Sequence, residues 1–277
     1  MMEDFRNHPL YKKHTLDSAM DSLWVFYKSH FLVLFLISFV VSLAMQFFAQ
    51  SLDYEELMGL TDVNEILEVY KQLMVAMIPV LALTVFVTVL LNLYVLRSPS
   101  EGNKIMSFTL NSFKYLLTYV IIMILAIPLI IIAMAAGLIA LIIGIFFSVI
   151  WLVALFAFVL PILMAEGNDI TNSITGSFRM LHRNFWSNMG WTAVFVVILV
   201  IVSFVMSGLA LIPFAGSFLQ TLANPDEATH IIQMAKNPIY MLMSAALNSL
   251  TLPLFPIFSF ILYFNAKARE EVPPVTI

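Results

Sequence analysis

Residues 116–165 read LLTYVIIMILAIPLIIIAMAAGLIALIIGIFFSVIWLVALFAFVLPILMA, fifty positions without one charged side chain. A helix crossing a bilayer needs about 20 apolar residues to match roughly 30 Å of hydrocarbon, so this stretch predicts two crossings in tandem. The same texture extends on both sides. Six segments are long and apolar enough to cross: 31–49, 73–96, 116–136, 138–165, 191–213 and 239–264. The expected fold is therefore all-α, a polytopic bundle of six transmembrane helices. The third and fourth spans adjoin, and Ala135-Ala136-Gly137 is the expected turn between them, with Gly144 as the alternative.

Composition agrees. Hydrophobic residues make up 61% of the chain and charged residues 11%, against about 25% charged in an ordinary soluble domain. Every polar segment falls well below the roughly 50 residues of a small domain, which excludes a separate soluble catalytic domain within these 277 residues. Cysteine is absent, which excludes a disulfide, a thiolate nucleophile and a cysteine-ligated metal. The first 13 residues mix acidic and basic positions without a small-residue cleavage site, so they are expected to be a retained cytoplasmic segment.

Orientation follows from the basic residues, because cytoplasmic loops keep positive charge during insertion. Arg6, Lys12, Lys13 and Lys28 precede span one, and Arg97, Lys104 and Lys114 separate spans two and three. Arg179 and Arg183 separate spans four and five, and Lys267 and Arg269 follow span six. Eleven of the 13 basic residues thus lie on one side, leaving Lys71 and Lys236 on the other. Both termini are expected in the cytoplasm of a bacterial cell, with the chain multi-pass in the inner membrane. The opposite side carries Asp53, Glu55, Glu56, Asp62, Glu65 and Glu68 in one loop and Asp226 and Glu227 in another. Asp62 followed by Glu65 is a capping box leading into span two, and Asn224-Pro225 is an N-cap with proline at the first helical position.

The segments before spans one and five look alike. Ser18-Ala-Met-Asp-Ser22-Leu-Trp-Val-Phe-Tyr-Lys28 aligns without gaps to Ser173-Ile-Thr-Gly-Ser177-Phe-Arg-Met-Leu-His-Arg183, and Ser112-Phe113-Lys114 echoes Ser177-Phe178-Arg179 before the match fades. The expected plan is three units, each a cytoplasmic interfacial helix followed by two spans. In the third unit Ile170, Ile174, Phe178, Leu181 and Phe185 form one apolar stripe. It would sit at the acyl boundary or pack on neighbouring spans, with the basic positions Lys28, Lys114, Arg179 and Arg183 near anionic headgroups. Residues 1–30 are read as tail and interfacial helix, 31–266 as the six-span domain and 267–277 as a second cytoplasmic tail.

The segment Ile170-Thr-Asn-Ser-Ile-Thr-Gly-Ser-Phe-Arg-Met-Leu-His-Arg-Asn-Phe-Trp186, ahead of a long apolar span, resembles a pattern in bacterial six-span proteins. These are grouped with the membrane domain of glycerophosphoryl diester phosphodiesterase. The resemblance implies a six-helix integral membrane fold. It does not imply the phosphodiesterase activity, which in that group belongs to a separate barrel domain.

Chemistry is sparse in the spans. None of the six apolar cores contains Asp, Glu, Lys, Arg or His, whereas ion-coupled transport and proton relays are marked by such residues. His8, His14, His30, His182 and His230 lie in separate segments without i, i+4 pairing, so no metal is expected. With 9 glycines and no phosphate-loop pattern, no cofactor is expected either, and the scattered basic residues do not make a nucleic-acid surface. The candidate ligand-facing positions are Ser244, Asn248, Ser249 and Thr251 on span six, ahead of Pro253 and Pro256. Thr84, Thr88 and Asn92 form a polar stripe on span two that would face them. Interhelical hydrogen bonding is the plainer use of all seven.

The sequence thus points to a non-enzymatic inner-membrane protein with an accessory or organising role, acting through membrane lipids or a second membrane protein. The alternative is a transporter or permease for a neutral or lipidic molecule, lined by spans two and six.

Overall fold

The computed structural model describes residues 5–50, 62–216 and 237–270. The expectations placed on Asp53, Glu55 and Glu56 and on the helix opened by Asn224-Pro225 lie outside the described residues. Those residues form ten α-helices and no strand: α1 (Leu16–Ser29), α2 (Phe31–Gln50), α3 (Val63–Ala76), α4 (Ile78–Glu101), α5 (Ile105–Ile139), α6 (Leu141–Ala165), α7 (Ile170–Arg183), α8 (Phe185–Leu211), α9 (Pro238–Thr251) and α10 (Leu254–Glu270). Six stretches are long and apolar enough to cross a membrane: α2, α3 with α4, α5, α6, α8 and α9 with α10. The protein is an integral, multi-pass membrane protein by that measure.

Sequence explains most of the boundaries. Asp62 caps α3 by accepting from the amides of Asn64 and Glu65, and α3 passes into α4 through Met77 alone. Asn237 caps α9, with Pro238 at the first position. Span six is made of two helices in tandem. Pro253 lacks the donor that would continue α9, so α9 stops at Thr251 and α10 starts at Leu254. The turn between spans three and four falls at Ala140, after the expected Ala135-Ala136-Gly137, which lies inside α5. Gly137 serves a close approach instead. A Cβ there would lie 2.7 Å from Ser148 Oγ and 2.9 Å from the Gly144 carbonyl oxygen.

The chain divides into two compact units. The first holds residues 1–33, 88–199 and 253–277. Its centre is read from burial: α4 is buried without interruption from Val89 to Leu96, and α10 from Pro256 to Asn265. Helices buried on all faces are central ones. Phe258 stacks on Phe195 of α8 with ring centroids 4.0 Å apart, α10 packs on α6 and α1, and α6 also packs on α5 and α7. The second unit holds residues 34–87 and 200–252, with α3, α9 and parts of α2, α4 and α8.

The repeated segments are α1 and α7, each 14 residues long. Each joins its following span through a single residue, His30 in one case and Asn184 in the other. The middle segment is different, because Ser112-Phe113-Lys114 belongs to the uninterrupted helix α5.

Candidate functional site

Within the second unit, α8 and α9 enclose a small polar cleft of about 60 Å³, lined by Ser203, Met206, Ser207 and Ala210 of α8 and Tyr240, Ser244, Leu247, Asn248 and Thr251 of α9. Helical spacing makes this face. Ser203 and Ser207 are one turn apart, and Tyr240, Ser244, Asn248 and Thr251 recur at intervals of three and four. Ser244 accepts a hydrogen bond from Gln46 Nε2 of α2 at 3.1 Å, and the Thr251 hydroxyl donates to the Asn248 carbonyl at 3.1 Å. The hydroxyls of Ser203, Ser207 and Tyr240 and the side-chain amide of Asn248 make no hydrogen bond to the described residues. Ser203, Ser207 and Asn248 are exposed.

Of the span-six positions read from sequence, Ser244, Asn248 and Thr251 meet in the cleft, whereas Ser249 is fully buried and donates to the Ala245 carbonyl. The span-two stripe is divided. Thr84, in the same unit as the cleft, donates to the Val80 carbonyl at 2.8 Å and lies 3.9 Å from Met45 Sδ. Thr88 and Asn92 belong to the other unit, where Asn92 Nδ2 donates to the Thr88 carbonyl at 2.8 Å. Asn92 is 1% exposed and its Oδ1 has no partner among the described residues. Gln46, Ser203, Ser207 and Tyr240 were not singled out from sequence. The i, i+4 spacing of Ser203 and Ser207 was the available signal.

The repeated helices α1 and α7 are in the first unit. Thr15 and Ser18 form a reciprocal capping box at the start of α1, and Asp169 caps α7. At the end of α7, Asn188 Nδ2 donates to the Met180 and Leu181 carbonyls at 3.0 and 3.1 Å, meeting backbone acceptors that a helix end leaves open. The buried residues of α7 are Ser173, Gly176, Ser177, Met180 and Leu181. Of the apolar stripe, expected at the acyl boundary or against neighbouring spans, Leu181 is buried and Ile170, Ile174, Phe178 and Phe185 are half-covered. Small residues fill most of the buried face, as close backbone approach favours packing between helices in lipid. Phe178 and His182 instead lie beside Trp151, at 6.0 and 6.2 Å.

On the outer faces Trp24, Val25 and Trp186 are exposed, and Lys28 sits 4.8 Å over the Trp24 ring. Lys114 lies 5.7 Å over Tyr115 and Arg183 pairs with Glu270 at 2.5 Å. Arg179 is exposed with no partner among the described residues.

The N-terminal segment folds back on this unit. His8 Nε2 donates to the Val95 carbonyl at 3.0 Å while Nδ1 accepts from the Leu10 amide at 3.2 Å, so the ring is held in one neutral tautomer. Burial, with help from nearby His30, pushes His8 down to about 4, against the opposing Val95 bond. The His14 amide donates to Asn265 Oδ1 at 2.9 Å, and Arg269 donates to the His14 carbonyl at 3.1 Å. Nearby, Glu166 accepts from Lys267 at 2.7 Å and from the Tyr263 hydroxyl at 3.1 Å. Among the described residues no three His, Asp or Glu side chains converge.

Neither the known protein-family models, nor the curated proteins, nor the solved structures contain a match to this chain.

Proposed function

We propose that the protein is a non-enzymatic, multi-pass protein of the bacterial inner membrane, with both termini cytoplasmic, that organises its surroundings by holding lipid at the cytoplasmic surface. The observation that carries this reading is the pair of elbow helices. Each packs one face into the first unit and leaves tryptophan and basic residues on the outside, Trp24 with Lys28 on α1 and Arg179 on α7 with Trp186 at the start of α8. Amphipathic rings and long cations are the side chains that favour the headgroup level. Each basic residue near an anionic surface contributes about 1 kcal/mol.

Single-tryptophan variants test it. With three of the four tryptophans replaced by phenylalanine, Trp24 or Trp186 remains as reporter in vesicles carrying brominated lipids. Shallow bromines should quench each strongly and deep bromines weakly. Insensitivity to both would remove the elbows from the lipid surface and this reading with them.

The permease reading retains one support, the polar cleft between α8 and α9. That cleft is bounded by spans five and six, with Gln46 of span one bonded to its Ser244; the expected lining was spans two and six.

A further inference from the structure

Serine and threonine in an apolar helix ordinarily return the hydroxyl to a carbonyl one turn back, and this protein follows the habit widely. Ser173, Thr175, Ser177, Thr192 and Ser249 all donate to the residue four positions earlier. Ser203 and Ser207 do not, and with Tyr240 and Asn248 they line one cleft with side-chain groups that make no hydrogen bond to the described residues. They lie on helices otherwise long and apolar enough to cross a membrane, where a polar group without partners is costly and marks a cavity or a ligand path.

We propose that this cleft binds the neutral, hydroxyl-bearing end of an amphiphile. Neutrality follows from the lining, which among the described residues includes serine, tyrosine, asparagine and threonine but no charged side chain. A charged group would be buried there unpaired. Hydroxyls and a carboxamide supply donors and acceptors together, which suits a ligand with adjacent hydroxyls that both gives and accepts. About 60 Å³ is the space of roughly four to five waters, so a group of a few heavy atoms fits and an extended sugar chain or peptide does not. Amphiphilic character follows from the surroundings. Val200, Phe204, Val205 and Leu209 on α8 and Ile239 and Leu242 on α9 are exposed and apolar, a surface along which an alkyl tail can lie.

The native chain has no cysteine, so single cysteines can read the cleft in lipid nanodiscs. Ser207→Cys and Ser203→Cys are compared with Phe204→Cys, whose native side chain is 81% exposed on the apolar surface. The probe is N-ethylmaleimide, which needs a hydrated thiolate. The cleft cysteines should react at least tenfold faster than the Phe204 position, and 1,2-decanediol should slow them at least threefold. Decyl sulfate and decyltrimethylammonium should not. Equal protection by 1,2-propanediol would assign the hydroxylated group to a free solute instead of a membrane amphiphile, with the same recognition chemistry. Asn248→Leu combined with Tyr240→Phe should abolish protection while Ser207→Cys stays reactive, which separates loss of the site from loss of the fold. Rates equal to the Phe204 position, no protection by either diol, or disulfide-linked dimers through Ser207→Cys, which would mean a second copy covers the face, each overturn the proposal.

Discussion

Acidification should loosen the N-terminal clasp, and His8 sets the size of the effect. Its ring is 8% exposed and uses both nitrogens, one to donate to Val95 and one to accept from Leu10. A proton on Nδ1 would destroy the second bond and place a charge against the rings of Phe26 and Phe264. The folded value lies near 4 against an ordinary 6.5, so the released segment binds protons more readily than the docked one. The stabilisation is therefore fully present above about pH 6.5, declines as pH falls toward 4, and is constant below that. In full it is worth about 3 kcal/mol, of which about 2 kcal/mol is lost by pH 5. His14, also held below its ordinary value by burial and by Lys12, adds in the same direction. Hydrogen exchange at the His14 amide, which donates to Asn265, reports docking. After correction for intrinsic exchange its protection should fall about 30-fold between pH 7.5 and pH 5. His8→Gln keeps a donor and an acceptor without titrating, and should reduce the fall to the share owed to His14. Flat protection in the native chain, or an unchanged fall in His8→Gln, would refute the reasoning.

Three further outcomes follow from the geometry. Asn188→Ala removes both bonds to the end of α7 and should cost about 1–3 kcal/mol, because the carbonyls stay buried; an unchanged melting temperature in detergent would mean they find other partners. A Cβ at Gly176 would meet Ile162 Cδ1 at 3.2 Å, so Gly176→Leu should lose about 1–3 kcal/mol through overpacking and Gly176→Ala much less, read by the same melt. With the charge-derived orientation, Asn64→Cys should label from outside intact spheroplasts and Ser100→Cys should not; the reverse pattern would invert the topology.

The spans were legible because bilayer thickness imposes a length on apolar runs, and residues 116–165 could satisfy nothing else. The joints were less legible. His30 and Asn184 each end a helix and are followed at once by another, with no glycine or proline to mark either place. The buried face of α7 was left open, because its apolar stripe suited either lipid or neighbouring spans. Ser173, Gly176 and Ser177 take much of the contact, a choice visible only when neighbouring backbones are in place. The cleft was half legible. Asn248 ahead of Pro253 stood out, but Ser203 and Ser207 look like ordinary packing residues until their missing i−4 bonds are known. His8 and His14 were read only as lying in separate segments without metal-site spacing, because contacts with residues 87 and 251 positions away leave no local pattern.

That last separation carries a consequence for biosynthesis. The acceptor for the His14 amide is Asn265, made 251 residues later, and at ribosomal rates of about 5–20 residues per second the wait is tens of seconds. Through that interval His14, buried in the folded protein, lacks its acceptor on α10. The nascent segment around His14 is thus open to chaperones, proteases and insertion factors until α10 has been made, and its closure reports that α10 is in place. A chain truncated before α10 would keep that segment loose, giving quality control a signal at one end for a defect at the other.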